Sequence, residues 1–172
     1  TAHASSNPDY LWKDTVLGLD DRQKSWLKSL PEVLQFQRNG HLVEALHSSP
    51  ITKDAYIYPD SSLLDEQCFQ DSKIYLLGHT HIQMHRRVGS SILINPGSVG
   101  QPRNGKPGAD YAVLDFNEMT VDFRHVDYDY LSYAAKLDGV STARAISLLT
   151  RDEAGRVDKN PCGSGERKIL DC

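Results

Sequence analysis

Apolar residues recur every third or fourth position in some stretches of this chain and every second position in others, and that alternation predicts its elements. Trp26, Leu27 and Leu30 share one helical face; Asp20 stands as the N-cap, Gln23 completes a capping box and Pro31 stops the turn, which predicts a short amphipathic helix. Residues 33–37 and 42–46 are rich in β-formers and meet across Asn39-Gly40, a pair suited to the positive φ angles of a two-residue hairpin turn. Residues 73–77 form a compact apolar strand ending at Gly78. Two further strand pairs follow, 83–88 with 91–94 around Gly89-Ser90, and 111–116 with 120–126 around Asn117-Glu118. The spacing turns helical again over 130–137 and 142–149, with Gly139 as a break and Ser141 as an N-cap.

Two stretches lack either period. Residues 51–70 are polar, hold Pro59 and several Asp and Ser residues, and read as a long loop with a short helix near 63–69. Past Arg151 the chain is charged and glycine-bearing, with Ile169-Leu170 as its one apolar pair, which predicts a polar, disordered tail over 151–172 behind a single unit over 1–150. Strands interspersed with helices place that unit in the α/β class, and 172 residues suit one domain better than two.

Composition narrows the function. With 39% hydrophobic and 24% charged residues the chain reads as globular. Nineteen Lys and Arg against twenty-three Asp and Glu give a net charge of −4, so no basic field exists to hold nucleic acid, and the aromatic residues are not interleaved with basic ones. No run approaches the roughly 20 apolar residues of a membrane span, so no membrane partner is expected. Cys68, Cys162 and Cys172 form no Cys-x-x-Cys pair, which suits a reducing, cytoplasmic setting.

The chemistry concentrates in Gly78-His79-Thr80-His81, where a strand ends, a glycine permits a sharp turn and two imidazoles emerge two positions apart. Neutral imidazole is the commonest protein ligand for divalent transition metals. In an extended loop such a pair can serve two different ions about 3.5–4 Å apart. His47 stands at the end of another strand, and ligand sites in α/β sheets collect beyond the carboxyl ends of strands. No Asp or Glu adjoins these motifs to screen two cations. His85, Arg86, Arg87, Arg103 and Lys106 read as solvated charges, although Arg suits phosphate contacts. Cys68 carries no assigned role.

Gly78-His79-Thr80-His81 followed by Asn95-Pro96-Gly97-Ser98-Val99-Gly100-Gln101-Pro102-Arg103 resembles the small bacterial-type calcineurin-like metallophosphoesterases. His47-Ser48-Ser49-Pro50 is similar to that family's His-Gly-Ser-Pro segment with Ser48 in place of glycine, and 110–115 resembles the strand after its Gly-Ser-Val-Gly loop. The resemblance spans about 19–149. It implies the C-terminal part of a four-layer α/β/β/α sandwich and a phosphodiesterase or phosphatase acting on phosphate-ester substrates through a binuclear metal centre of manganese, zinc or iron. It further implies that His47 and His79 ligate one ion and His81 the other, while 95–100 shapes the adjoining loop. The family's Asp-x-His, Gly-Asp and Asn-His segments have no counterpart in 1–18, and the chain does not begin with Met, so the N-terminal metal-ligand half is expected to be missing and this chain alone inactive. A homo-oligomer is compatible with this reading. The same fold also resembles the retromer-type scaffold subunit, which keeps such segments while acting through protein contacts, and that is the alternative.

Overall fold

The computed structural model describes residues 12–52, 55–64, 69, 71–137 and 139–153. Two helices come first, α1 (Trp12–Gly18) and α2 (Asp21–Ser29). The Asp20 side chain accepts from the Gln23 N–H at 2.7 Å and the Gln23 side chain accepts from the Asp20 N–H at 2.9 Å, so the capping box forms as read. Helix α1 had no counterpart in the sequence reading.

Five strands build the main sheet: β1 (Val33–Arg38), β2 (His41–Leu46), β3 (Lys73–Leu76), β4 (Gln83–Val88) and β5 (Ser91–Pro96). They stand in the order β1-β2-β3-β5-β4. The β1–β2 hairpin turns on Asn39 and Gly40, at φ 49° and 79°, as the positive-φ pair predicted. β2 runs parallel to β3, and β3 parallel to β5, so three strands deliver their carboxyl ends to one edge. A second sheet pairs β6 (Ala109–Asp115) with β7 (Thr120–Val126).

Strand alternation gives the main sheet two buried faces. Val43, Ile74 and Ile94 point one way, against Leu114, Phe116, Met119 and Val121 of the second sheet and its turn. Tyr75, Leu77 and Leu93 point the other way and are covered by Ile57 and Phe69 from the long connection after β2. The pair of β layers and flanking helices is the α/β arrangement expected. Helices α3 (Tyr130–Ala134) and α4 (Thr142–Leu149) pack on one another through Ala134, Ala145 and Leu149. α3 stops short of its predicted end at 137 because the chain tightens there, with Lys136 N–H donating to Tyr133 O and Leu137 N–H to Ala134 O.

Two differences matter. The domain does not stop at 150: Glu153 is buried, its N–H donates to Arg103 O at 2.6 Å, and Asn104 bridges to Asp152, so at least three residues of the predicted tail belong to the fold. The rest of that tail, and part of the helix expected near 63–69, lie outside the described residues. The apolar face of α2 is the second difference. Trp26, Leu27 and Leu30 share a face, yet α2 buries no residue, and Val33, Leu34 and Phe36 of β1 are likewise exposed. Among the described residues no helix is long and apolar enough to cross a membrane.

Candidate metal centre

The parallel pairing of β2 and β3 brings the residues after each strand side by side. His47 follows β2 directly, and Gly78 donates its N–H to His47 O at 3.0 Å. A Cβ on Gly78 would meet that oxygen at 3.2 Å, so the close approach of the two strand ends favours glycine. His79 comes next, and its Nδ1 stands 3.1 Å from His47 Nε2 with the rings edge to face.

The loop that carries the two motif histidines is bent sharply. His79 and His81 both hold positive φ, 66° and 60°, a region that residues other than glycine seldom occupy. Thr80 N–H donates to Gly78 O at 2.7 Å, closing a three-residue turn around His79. Asn95, at the end of β5 and only 1% exposed, holds this shape. Its Nδ2 donates to Gly78 O at 2.6 Å and to Thr80 Oγ1 at 3.0 Å, while its Oδ1 accepts from Gly97 N–H at 3.0 Å. The Asn-Pro-Gly-Ser segment thus acts on the histidine loop from the neighbouring strand.

His81 is oriented separately. Its Nδ1 lies 2.8 Å from Gln101 O; a carbonyl can only accept, so Nδ1 carries the proton and Nε2 keeps its lone pair in the neutral ring. Burial, and after it the Arg103 guanidinium, hold the His81 pKa below its ordinary value, against the pull of the Gln101 carbonyl. A second ring nitrogen donated to a backbone carbonyl is the usual support of a metal-ligating histidine.

These residues fit a metal in part. Two nitrogens bound to one tetrahedral ion at about 2.0–2.1 Å stand roughly 3.3 Å apart, and the His47–His79 pair is at 3.1 Å. That spacing suits one shared ion, with the present hydrogen bond between the rings given up. Among the described residues no group of three or more His, Cys, Asp or Glu side chains could hold an ion by itself. The predicted convergence of three histidines is therefore, among the described residues, a pair plus one on one sheet edge.

Three neighbours have contacts that the sequence did not reveal. Tyr56 lies over His79, ring centroids 3.9 Å apart, and its own ring is nearly parallel to that of Tyr58. Arg103, expected in solvent, is only 6% exposed and pairs with Glu153, which also takes Arg151 and the Tyr58 hydroxyl. Asp110, almost fully buried, accepts from His125 Nδ1 at 2.6 Å and from Asn104 Nδ2 at 3.0 Å beside Gly97. His85, Arg86 and Arg87 are exposed on β4, as a solvated face requires.

The calcineurin-like phosphoesterase superfamily domain matches residues 10–119, well over half of the chain. This chain belongs to that superfamily. It is 27% identical over 136 residues to an uncharacterized protein of Methanocaldococcus jannaschii, an alignment covering 69% of this chain and 54% of the relative. The chain thus spans about half the length of that curated relative. A metallophosphoesterase from Sphaerobacter thermophilus superposes with a TM-score of 0.64 at 26% identity, covering 89% of this chain and 72% of the other. A hypothetical protein of Pyrococcus horikoshii shares the fold at a TM-score of 0.59 and 18% identity, over 86% and 66% of the two chains. In this calcineurin-like domain the paired strand ends, the Asn95-braced turn and the oriented His81 occupy one edge of the main sheet.

Proposed function

We propose that this domain is a metal-dependent phosphoesterase, a phosphodiesterase or phosphatase. His47 and His79 hold one divalent ion and His81 the second, and the remaining ligands, a bridging carboxylate among them, come from a part of the family domain outside this chain. The observation that carries the reading is the 3.1 Å approach of His47 and His79 from adjoining parallel strands, a spacing suited to one ion. The ions, manganese, zinc or iron, would supply Lewis-acid polarisation of the phosphoryl oxygens and an activated water. The chain's own residues orient the ligands. Gln101 O fixes the His81 tautomer, Gly78 lets β2 and β3 close on each other, and Asn95 holds the turn that aims both motif histidines. Among the described residues no group of three or more potential ligands stands together, so turnover by this chain alone is expected to be poor or nil. A reducing, cytoplasmic setting suits the cysteine usage.

The test measures metal content by elemental mass spectrometry, with a chromogenic phosphodiester assay, on this chain beside a longer version that includes whatever precedes it. Two metals and turnover in the longer form, both lost in His79→Ala, support the proposal. Metal-free, inactive material in both forms overturns it in favour of the scaffold alternative.

A further inference from the structure

The connection after β2 was read as a polar loop, but its residues 55–58 form a fixed strap. Ile57 is buried in the core beneath Tyr75, Leu77 and Leu93, and the buried Tyr58 sends its hydroxyl to Glu153 Oε2 at 3.3 Å. Between these anchors and the metal-face loop stands Tyr56. Its ring contacts His79 at a centroid distance of 3.9 Å and runs nearly parallel to that of the buried Tyr58, 6.0 Å away, so Tyr56 brings an aromatic edge to His79. Tyr56 keeps 39% of its surface accessible beside His79.

We propose that Tyr56 is a substrate-binding residue: its exposed ring receives the organic substituent of the phosphate ester and favours substituents with a flat, apolar face. The proposal rests on the phosphoesterase reading above. If His79 holds an ion and the phosphoryl group binds there, the substituent leaves the phosphorus on the side of the neighbouring Tyr56 ring. Inorganic phosphate has nothing to place on an aromatic ring, whereas an aryl group or a nucleobase gains buried apolar area and ring contact there. The anchoring of Ile57 and Tyr58 matters, because a ring already held in place loses little entropy on binding. The strap also explains how a segment without periodicity could select substrates, since Ile57 and Tyr58 anchor it directly after Tyr56.

The test measures dissociation constants for phenyl phosphate and inorganic phosphate by calorimetry in the metal-loaded longer protein, with metal content determined for each variant. The wild type should prefer phenyl phosphate by roughly three- to tenfold, the scale of one aromatic contact. Tyr56→Ala should remove that preference by weakening phenyl phosphate alone, Tyr56→Phe should keep it, and the bound metal should be unchanged in both. Equal weakening of both ligands in Tyr56→Ala, or no change in either, overturns the proposal. A wild type that binds neither metal nor phosphate overturns the phosphoesterase reading, and this inference with it.

Discussion

Gly78 and His47 are packed so tightly that a Cβ on the glycine would stand 3.2 Å from the histidine's carbonyl oxygen and 3.6 Å from its Nδ1. The same carbonyl accepts the Gly78 N–H, so the strand ends cannot part without losing a hydrogen bond. Gly78→Ala should cost about 1–3 kcal/mol of stability, the usual range for overpacking. It should also displace His47 from His79 and lower metal content in the longer protein. Urea denaturation and elemental analysis of one preparation separate the two effects; full metal content with unchanged stability would refute the account.

Asn95 makes three hydrogen bonds from a fully buried position. Its truncation to Ala should destabilise the fold by about 3 kcal/mol, roughly one per bond. Asn95→Asp should be little better, because a carboxylate can still accept from Gly97 but cannot donate to Gly78 O or Thr80 Oγ1. Denaturant midpoints for the two variants check this directly.

Glu153 sits in a buried cluster with Arg103, Arg151 and Tyr58. Removing the carboxylate leaves the Arg103 guanidinium buried with its charge uncompensated. Glu153→Ala should therefore cost about 3–5 kcal/mol. Replacing Arg103 and Glu153 together with Met and Leu should cost less than Glu153→Ala alone. A double variant weaker than the single one would refute this account of the pair.

Two histidines should titrate in opposite directions. Hydrogen bonding to Asp110 raises the His125 pKa above its ordinary 6.5, whereas burial and Arg103 lower that of His81. Below about 6.5 the His125–Asp110 contact contributes its full stability, and the contribution is lost as pH rises through the folded value. His81 acts with the opposite sign, since the unfolded chain takes up its proton first as pH falls through 6.5, at the expense of the folded state. Imidazole NMR titration of the metal-free protein should place His125 above and His81 below 6.5. In His125→Ala the stability gained on acidification through this window should shrink.

How much could be read in advance depended on whether a signal was local. The Asp20–Gln23 capping box, the Asn39-Gly40 turn and the Ser141 cap each lie within four residues, and all three form. The strands that form this edge were legible from their apolar runs, and so was the placement of His47 and His79 after strand ends, whereas the pairing of those strands was not. Arg103 and Glu153 meet across fifty residues of chain without any periodic pattern, so the arginine was read as solvated and the tail as beginning too early. Tyr56 was invisible for a related reason: its stretch, with Pro59 and several Asp residues, carries no period, and only the folded chain brings it onto His79. Helix α1, seven residues long, is too short for its spacing to stand out.

β1 has consequences for handling this chain. All six of its residues are exposed, it closes one side of the main sheet, and it carries Val33, Leu34 and Phe36, exposed as are Trp26 and Leu27 of α2 and Leu30 at its cap. A row of backbone donors and acceptors flanked by apolar side chains is a template onto which another strand can add. A net charge of −4 opposes such pairing only weakly, and salt weakens it further. Solubility of the isolated chain should accordingly be set by concentration and ionic strength, with self-association beginning at this strand while the metal-face edge stays accessible.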